Sequence, residues 1–357
     1  ILYHMRIGFL VGKEDEIHYD DELFELTPKK YLRQGNYEEP LLHTDVAIAM
    51  TIKLSYPDVS VDIIPPNEIS DKRLQKNNVN FILGYDCINQ MVDEPYVRKF
   101  KGKQGYNLLK QIYSSKKNKV FPPMNFLEFI WDKEKYLSVF QKKQIPISPT
   151  LVVSKYSTTK ILGDIQKKGW KQFIIKPVGG TSAVGVERFQ LKECLKNPLL
   201  ITNYFEENKS YYPKFLIQEL ITGFKKHGEI KMYWINQEYS YAVNTIDKAG
   251  GDQDGYTAKP FTNKKILDHC KTIGEQALQL LPKIKVNNKV VKPVLVRTDF
   301  TCCQANKQHT AKNYFLNEVE HQDAGSYSNY FEIKYPYVQV MADSFVKKAQ
   351  ELISLGF

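Results

Sequence analysis

Three acids near the end of the chain have the types and spacing of metal ligands. Asp299 falls in the apolar run VLVRTDFTCC (294–303), and Glu318 and Glu320 fall in YFLNEVEH (314–321). Side chains alternate along a strand, so Glu318 and Glu320 share a face with Val319 opposite. By the same rule Arg297, Asp299 and Thr301 share a face. The polar stretch 304–313 suits a hairpin loop, and pairing of the two runs would gather the three carboxylates. Carboxylates converging on an apolar sheet repel one another unless a cation neutralises them. Mg²⁺ held by carboxylates and nucleotide phosphates would do so. The plain alternative is a hairpin whose wet outer face carries ordinary acids.

Two lysines complement the acids. Lys176 ends the apolar run FII (173–175), and the loop after it carries Gly179, Gly180, Thr181, Ser182 and Gly185. Small residues there let backbone N–H groups approach phosphate oxygens. The loop is neither a Walker A nor a GxGxxG motif, and alone it would pass for a hairpin turn. Lys133 lies in the first half of a helix-like stretch, 126–143. An exposed helical lysine ordinarily has no specific role; the IPISP stop at 145–149 is what singles this one out.

The elements that must carry these residues fall into two styles. Residues 5–11 (MRIGFLV) read as a buried first strand, 45–56 as a helix, 59–64 and 80–83 as strands, and 105–113 as a short helix. That alternation predicts a small open α/β domain. After Phe121, Pro122 and Pro123, residues 126–143 predict one amphipathic helix. Beyond it, strands are expected at 151–153, 173–177, 186–191, 215–220, 231–235, 239–244, 294–302 and 314–320, with helices at 160–168, at 266–281 and from about Val338. Mostly antiparallel strands with few crossovers predict an α+β body. The expected division is 5–124 for the α/β domain, 125–214 for a central lobe and 215–357 for a C-terminal lobe.

Composition sets outer bounds. The chain has 357 residues, 42% of them hydrophobic, enough for a sizeable core and more than one domain. No stretch has the length and apolarity of a membrane span, and no secretory leader is visible. Ile1–His4 read as a cloning remnant before a native start at Met5. Five cysteines with no CxxC pair argue against a disulfide framework and for a reducing, cytoplasmic setting. Adjacent Cys302 and Cys303 read as ordinary packing residues. The net charge of +10 is unevenly spread. Arg98, Lys99, Lys101, Lys103, Lys110, Lys116, Lys117 and Lys119 fall within 95–127 without an acid, whereas 14–25 is acidic. Such runs are ordinarily solvated faces. No zinc-finger or ribonucleoprotein motif accompanies the charge, so nucleic acid is not the expected partner.

The order of the motifs resembles the ATP-grasp superfamily. Asp132 and Lys133 followed by QIPISP (144–149) resemble the opening of the ATP-grasp domain in D-alanine–D-alanine ligases, with Gln144 where those have glycine. Residues 173–186 are similar to the family's lysine strand and glycine-rich lid, and FLIQELITG (215–223) to its adenine hinge. HGEIK (227–231) is similar to the Gly-Asp-Ile-Arg of glutathione synthetase and of ligases that add glutamate to a ribosomal protein. RTD (297–299) and NEVE (317–320) resemble its Arg-x-Asp and magnesium motifs, and YTAK (256–259) loosely resembles its Ala-Lys segment. Glu320 replaces a common Asn, Lys231 replaces Arg, and HQDAGS (321–326) departs from the usual substrate-pocket sequence.

The resemblance implies an ATP-grasp fold and an ATP-dependent carboxylate–amine ligase acting through an acyl phosphate. Lys133 and Lys176 would contact the α- and β-phosphates under a lid at Gly180, Thr181 and Ser182. Gln218, Glu219, Leu220 and Ile221 would hold adenine, with Glu229 toward the ribose and Lys231 nearby. Asp299, Glu318 and Glu320 would bind two Mg²⁺, with Mn²⁺ as the alternative. Arg297 would stabilise the oxyanion or phosphate, and Lys259 would reach the γ-phosphate. The implied partners are a small-molecule carboxylate and an amine, without a membrane; a homodimer is left open. The rivals are a phosphotransferase on the same fold, like the inositol phosphate kinases, a non-catalytic ATP-binding protein, and a nucleic-acid binder.

Overall fold

The computed structural model describes residues 4–12, 16–34, 39–83, 110–153, 155–179, 185–212, 214–247, 256–321, 325–330 and 333–357. The first sheet is parallel. β1 (Met5–Leu10) lies between β2 (Val59–Ile64) and β3 (Val79–Ile82), and β4 (Val120–Phe121) extends the β3 edge. Helix α1 (Thr44–Ser55) makes the crossover from β1 to β2, as strand–helix–strand spacing requires. The expected open α/β domain is therefore present. Its predicted 105–113 helix lies outside the described residues except for its last turn.

The predicted 126–143 helix is two helices. α2 (Met124–Trp131) ends at Asp132, and α3 (Lys133–Lys142) begins there. The Asp132 carboxylate accepts a hydrogen bond from the Lys135 amide, which makes it the N-cap of α3. Lys133 thus opens a helix instead of lying inside one. After α3, Gln144 adopts a φ of 59°, a left-handed conformation that favours glycine.

The second sheet is antiparallel, in the order β5 (Thr150–Val153), β8 (Phe215–Glu219), β6 (Gln172–Pro177), β7 (Glu187–Gln190). One face packs an aromatic-rich core of its own, in which Phe173, Phe189, Tyr204, Phe205 and Phe215 are buried with residues of α4 (Thr158–Lys167). Two helices that the sequence reading missed close this core: α5 (Leu191–Lys196) and α6 (Leu199–Asn208). Ile201, Tyr204 and Phe205 form the buried stripe of α6, spaced as one helix face requires. The β8 strand pairs with β5 and β6, so Phe215–Glu219 belong to the second sheet.

Short helix α7 (Gly223–His227) leads into the third sheet. Its order is β11 (Tyr256–Pro260), β10 (Glu238–Asp247), β9 (Glu229–Ile235), β12 (Leu295–Cys302), β13 (Tyr314–His321), antiparallel throughout. Helix α8 (Lys264–Gln279) packs behind it, and a side chain at Gly274 would meet the Trp234 ring within 2.4 Å. Trp234 donates to the Thr298 hydroxyl at 2.8 Å, so the largest side chain of this layer is also polar-satisfied. The final helix α9 (Tyr337–Ser354) returns to the first domain, where Phe345 packs its ring 4.8 Å from that of Phe81 and 5.5 Å from that of Phe9. Among the described residues no helix is long and apolar enough to cross a membrane.

Candidate active site

The acids meet as their alternation predicts. Asp299 of β12 pairs directly with Glu318 of β13, and Arg297 pairs with Glu320. Strand β9 adds Lys231 opposite Asp299 and Glu229 opposite Thr301. Directly paired residues share a face, so one side of the sheet carries all of them. The register shifts between Asp299 and Phe300, where Asn317 is the extra residue of β13. Such a bulge re-aims side chains locally, and Asn317 lines the same cleft as Glu318 and Glu320. Its amide donates to Glu229 at 3.0 Å and accepts from the Ser148 hydroxyl at 3.0 Å. One oxygen from each of Asp299, Glu318 and Glu320 falls within 4.8 Å of the others. An all-oxygen, carboxylate-rich set of this kind fits Mg²⁺.

The lysines arrive from the second sheet and from α3. In β6, Phe173 and Ile175 point into the aromatic core, so Ile174 and Lys176 face the other way, toward the third sheet. Lys176 Nζ donates to Glu318 at 3.1 Å, and Lys133 Nζ stands 3.8 Å from the same oxygen. Lys231 Nζ bridges Glu229 at 2.7 Å and Asp299 at 2.9 Å. Arg297 binds both oxygens of Asp299 at 2.8 and 2.7 Å, reaches Glu320 at 2.6 Å and donates to the Gly325 carbonyl at 3.2 Å. Four carboxylates are thus matched by four cations.

Burial makes this pairing decisive. It would push the Glu318 carboxyl up, but the ammonium groups of Lys133 and Lys176 overcome it and hold the group well below the usual carboxylate range. Burial likewise opposes ionisation of Asp299, which Arg297 and Lys231 keep below its ordinary value. Glu320 has Arg297 as its cation and several acids nearby, and burial pushes it up to about 7. Burial also lowers Lys176 despite its contact with Glu318.

Between the two sheets lies a cleft of about 530 Å³. Lys133, Lys176, Glu229, Glu318 and Glu320 line it, together with Gln218, Glu219, Leu220 and Ile221. The Gln218 side chain is buried and donates to the Thr150 hydroxyl at 2.8 Å. Most of the residues singled out in the sequence are thus neighbours in the structure. Lys259 is the exception. It pairs with Asn244, which pairs in turn with Ile230, so the register sets it on the face opposite Lys231 and Asp299. It is exposed, and the structure does not bring it to the acids. Gly180, Thr181 and Ser182 lie outside the described residues.

Glu16 was missed. Its carboxylate accepts from the Ser326 amide at 2.7 Å, the Ser326 hydroxyl at 2.5 Å and the Tyr327 amide at 2.6 Å, tying the first domain to the turn that Arg297 also touches. Burial raises its pKa. In the sequence it sits among six other acids of the 14–25 run, and nothing there distinguishes it.

Two sheets that enclose a cleft, Lys176 on one and the acids on the other, behind a parallel α/β domain, define the ATP-grasp fold, and the chain has that fold. Solved structures agree over nearly its whole length. D-cycloserine synthetase DcsG superposes with a TM-score of 0.65 at 12% identity, covering 96% of this chain and 99% of that one. D-alanine–D-alanine ligase from Bacillus anthracis gives 0.57 at 12% identity, with 98% of each chain covered. ATP-grasp ligase PsnB with its minimal precursor gives 0.59 at 11% identity, covering 97% of this chain and 100% of that one. No protein-family model matches the sequence, and no curated protein matches it.

Proposed function

We propose that the chain is an ATP-dependent carboxylate–amine ligase that forms an amide through an acyl phosphate and releases ADP and phosphate. The observation that carries this reading is the convergence of Lys133 and Lys176 on Glu318 at the edge of the Asp299, Glu318 and Glu320 cluster. In this arrangement the lysines neutralise an acid that nucleotide binding would free. Phosphate oxygens would take the two ammonium groups, and Glu318 would turn to a divalent cation with Asp299 and Glu320. The cation, when bound, offsets charge on the transferring phosphoryl group. Neighbours of the same fold are described with ATP and with Mg and ADP.

The hinge at Gln218–Ile221 would hold the base, and Lys133 and Lys176 the polyphosphate. A substrate carboxylate oxygen attacks the γ-phosphorus, and the bond from that phosphorus to the bridging oxygen breaks, so ADP leaves. An amine then attacks the acyl carbon, loses a proton and expels phosphate. Arg297 stands between the acids and the Gly325–Ser326 turn, where its planar guanidinium suits an oxyanion or carboxylate. The reading is tested by screening amino acids and short peptides for ADP release, with mass spectrometry of the products. A condensation product with loss of one water is expected. ADP release that always accompanies a phosphorylated product and never a condensed one would count against it.

A further inference from the structure

The loop joining the two acid-bearing strands begins with a side chain that reaches away from the acids. Gln304 follows the end of β12 and is half-buried. Its amide oxygen accepts from the Thr222 amide at 3.1 Å and from the Thr222 hydroxyl at 2.7 Å. Its amide nitrogen donates to the Glu219 carboxylate at 3.0 Å and to the Leu220 carbonyl at 3.0 Å. The neighbouring backbone reinforces the junction. Ala305 N–H donates to the Thr222 hydroxyl at 2.9 Å, and Lys226 Nζ donates to the Ala305 carbonyl at 3.3 Å. Gly223 lies so close that a side chain there would meet the Cys303 carbonyl oxygen at 1.9 Å.

A glutamine saturated at both ends is a choice that few residues can replace. Glutamate keeps the acceptor, loses both donors and sets a charge against Glu219; alanine loses everything. The contacts also decide which hinge groups remain for a ligand. Leu220 N–H donates to the Gln172 carbonyl, and the Leu220 carbonyl and Thr222 N–H are both engaged by Gln304. The Ile221 N–H is left without a partner among the described residues, at a position lining the cleft.

We propose that Gln304 is a positioning residue for nucleotide recognition, a strut that fixes the base-binding hinge relative to the phosphate-binding end of the cleft. It acts through Glu219, Leu220 and Thr222 at one end. At the other end it continues into β12, the strand that holds Asp299. The proposal rests on reading the cleft as an ATP site. A ligand that spans both ends needs the strut, whereas one that uses a single end made of lysines and acids does not.

The test is calorimetric titration of the full chain with three probes in the presence of Mg²⁺: ATP, adenosine and inorganic tripolyphosphate. Gln304→Ala and Gln304→Glu are compared with the wild type. Both variants should bind ATP and adenosine about tenfold more weakly, the size expected for losing one or two hydrogen bonds. Both should bind tripolyphosphate as the wild type does. Once a turnover assay exists, KM for ATP should rise with kcat nearly constant. Unchanged ATP affinity in the variants, or an equal loss for tripolyphosphate, would overturn the strut alone. A wild type that binds none of the three probes would overturn the nucleotide reading itself, and the strut with it.

Discussion

Glu318 is ionised in a buried place because two lysines approach one of its oxygens, at 3.1 Å for Lys176 and 3.8 Å for Lys133. Removing the acid takes from Lys176 and Lys133 the carboxylate they share, and removing a lysine leaves the acid short of one cation. On the proposed reading the acids act as oxygen ligands, so Asp299→Asn and Glu318→Gln should each abolish ADP release while circular dichroism shows a native fold. Wild-type turnover in both would place the metal elsewhere. Lys176→Ala should weaken ATP binding by ~2–4 kcal/mol in calorimetry, as loss of a charge-assisted phosphate contact does. At this scale the sequence was readable where alternation decides the outcome, as for Asp299, Glu318 and Glu320. Alternation does not place Asn317, which only the motif resemblance singled out and which a bulge turns inward, nor Glu16, whose partners Ser326 and Tyr327 are more than three hundred residues away in the chain.

Elements were legible in proportion to how local their causes are. Strands β6, β9, β12 and β13 follow from apolar runs, and α1 and α8 follow from periodicity. The break between α2 and α3 depends on Asp132 acting as a cap, which a continuous helical pattern conceals. The membership of β8 in the second sheet depends on pairing with β5 and β6, and no local signal reports that. A polar cluster beneath the first sheet offers a test of such non-local support. Asp62 binds Arg73 at 2.7 Å and accepts from Asn77 at 3.3 Å, and a side chain at Gly8 would clash with Asn80 at 2.0 Å. Burial opposes ionisation of Asp62, but the bonds from Arg73 and Asn77 prevail and lower its pKa. A carboxyl lowered on folding adds stability above its unfolded value, about pH 4, and loses it as pH falls through the lower folded value. Asp62→Asn should therefore flatten the acid side of the stability–pH curve in denaturant titrations. An unchanged acid limb would show that the cluster is not an electrostatic support.

Across the whole molecule, the cleft exists only when the second and third sheets are folded and facing. ATP with Mg²⁺ should thus raise the unfolding temperature, because mass action adds about 2.7 kcal/mol of stability at a hundredfold excess over the dissociation constant. A Lys133→Ala, Lys176→Ala double variant should lose that shift while keeping its ligand-free melting temperature within a few degrees. The sequence carried the class of the fold because motif order reflects the order of lobes. It did not carry the support of the turn at Gly325–Tyr327, because that support comes from Glu16 of the first domain.

The central claim is that the γ-phosphoryl group passes to a carboxylate. Hydroxylamine separates this from transfer to a hydroxyl, since it captures an acyl phosphate as a hydroxamate and leaves a phosphate ester intact. Enzyme, ATP, Mg²⁺ and hydroxylamine should give hydroxamate with the correct carboxylic acid. The yield should fall in Arg297→Lys, which keeps the charge and loses the planar fork, and vanish in Asp299→Asn. Stable transfer of labelled γ-phosphate to an inositol phosphate, with no hydroxamate from any carboxylate tested, would contradict the ligase account.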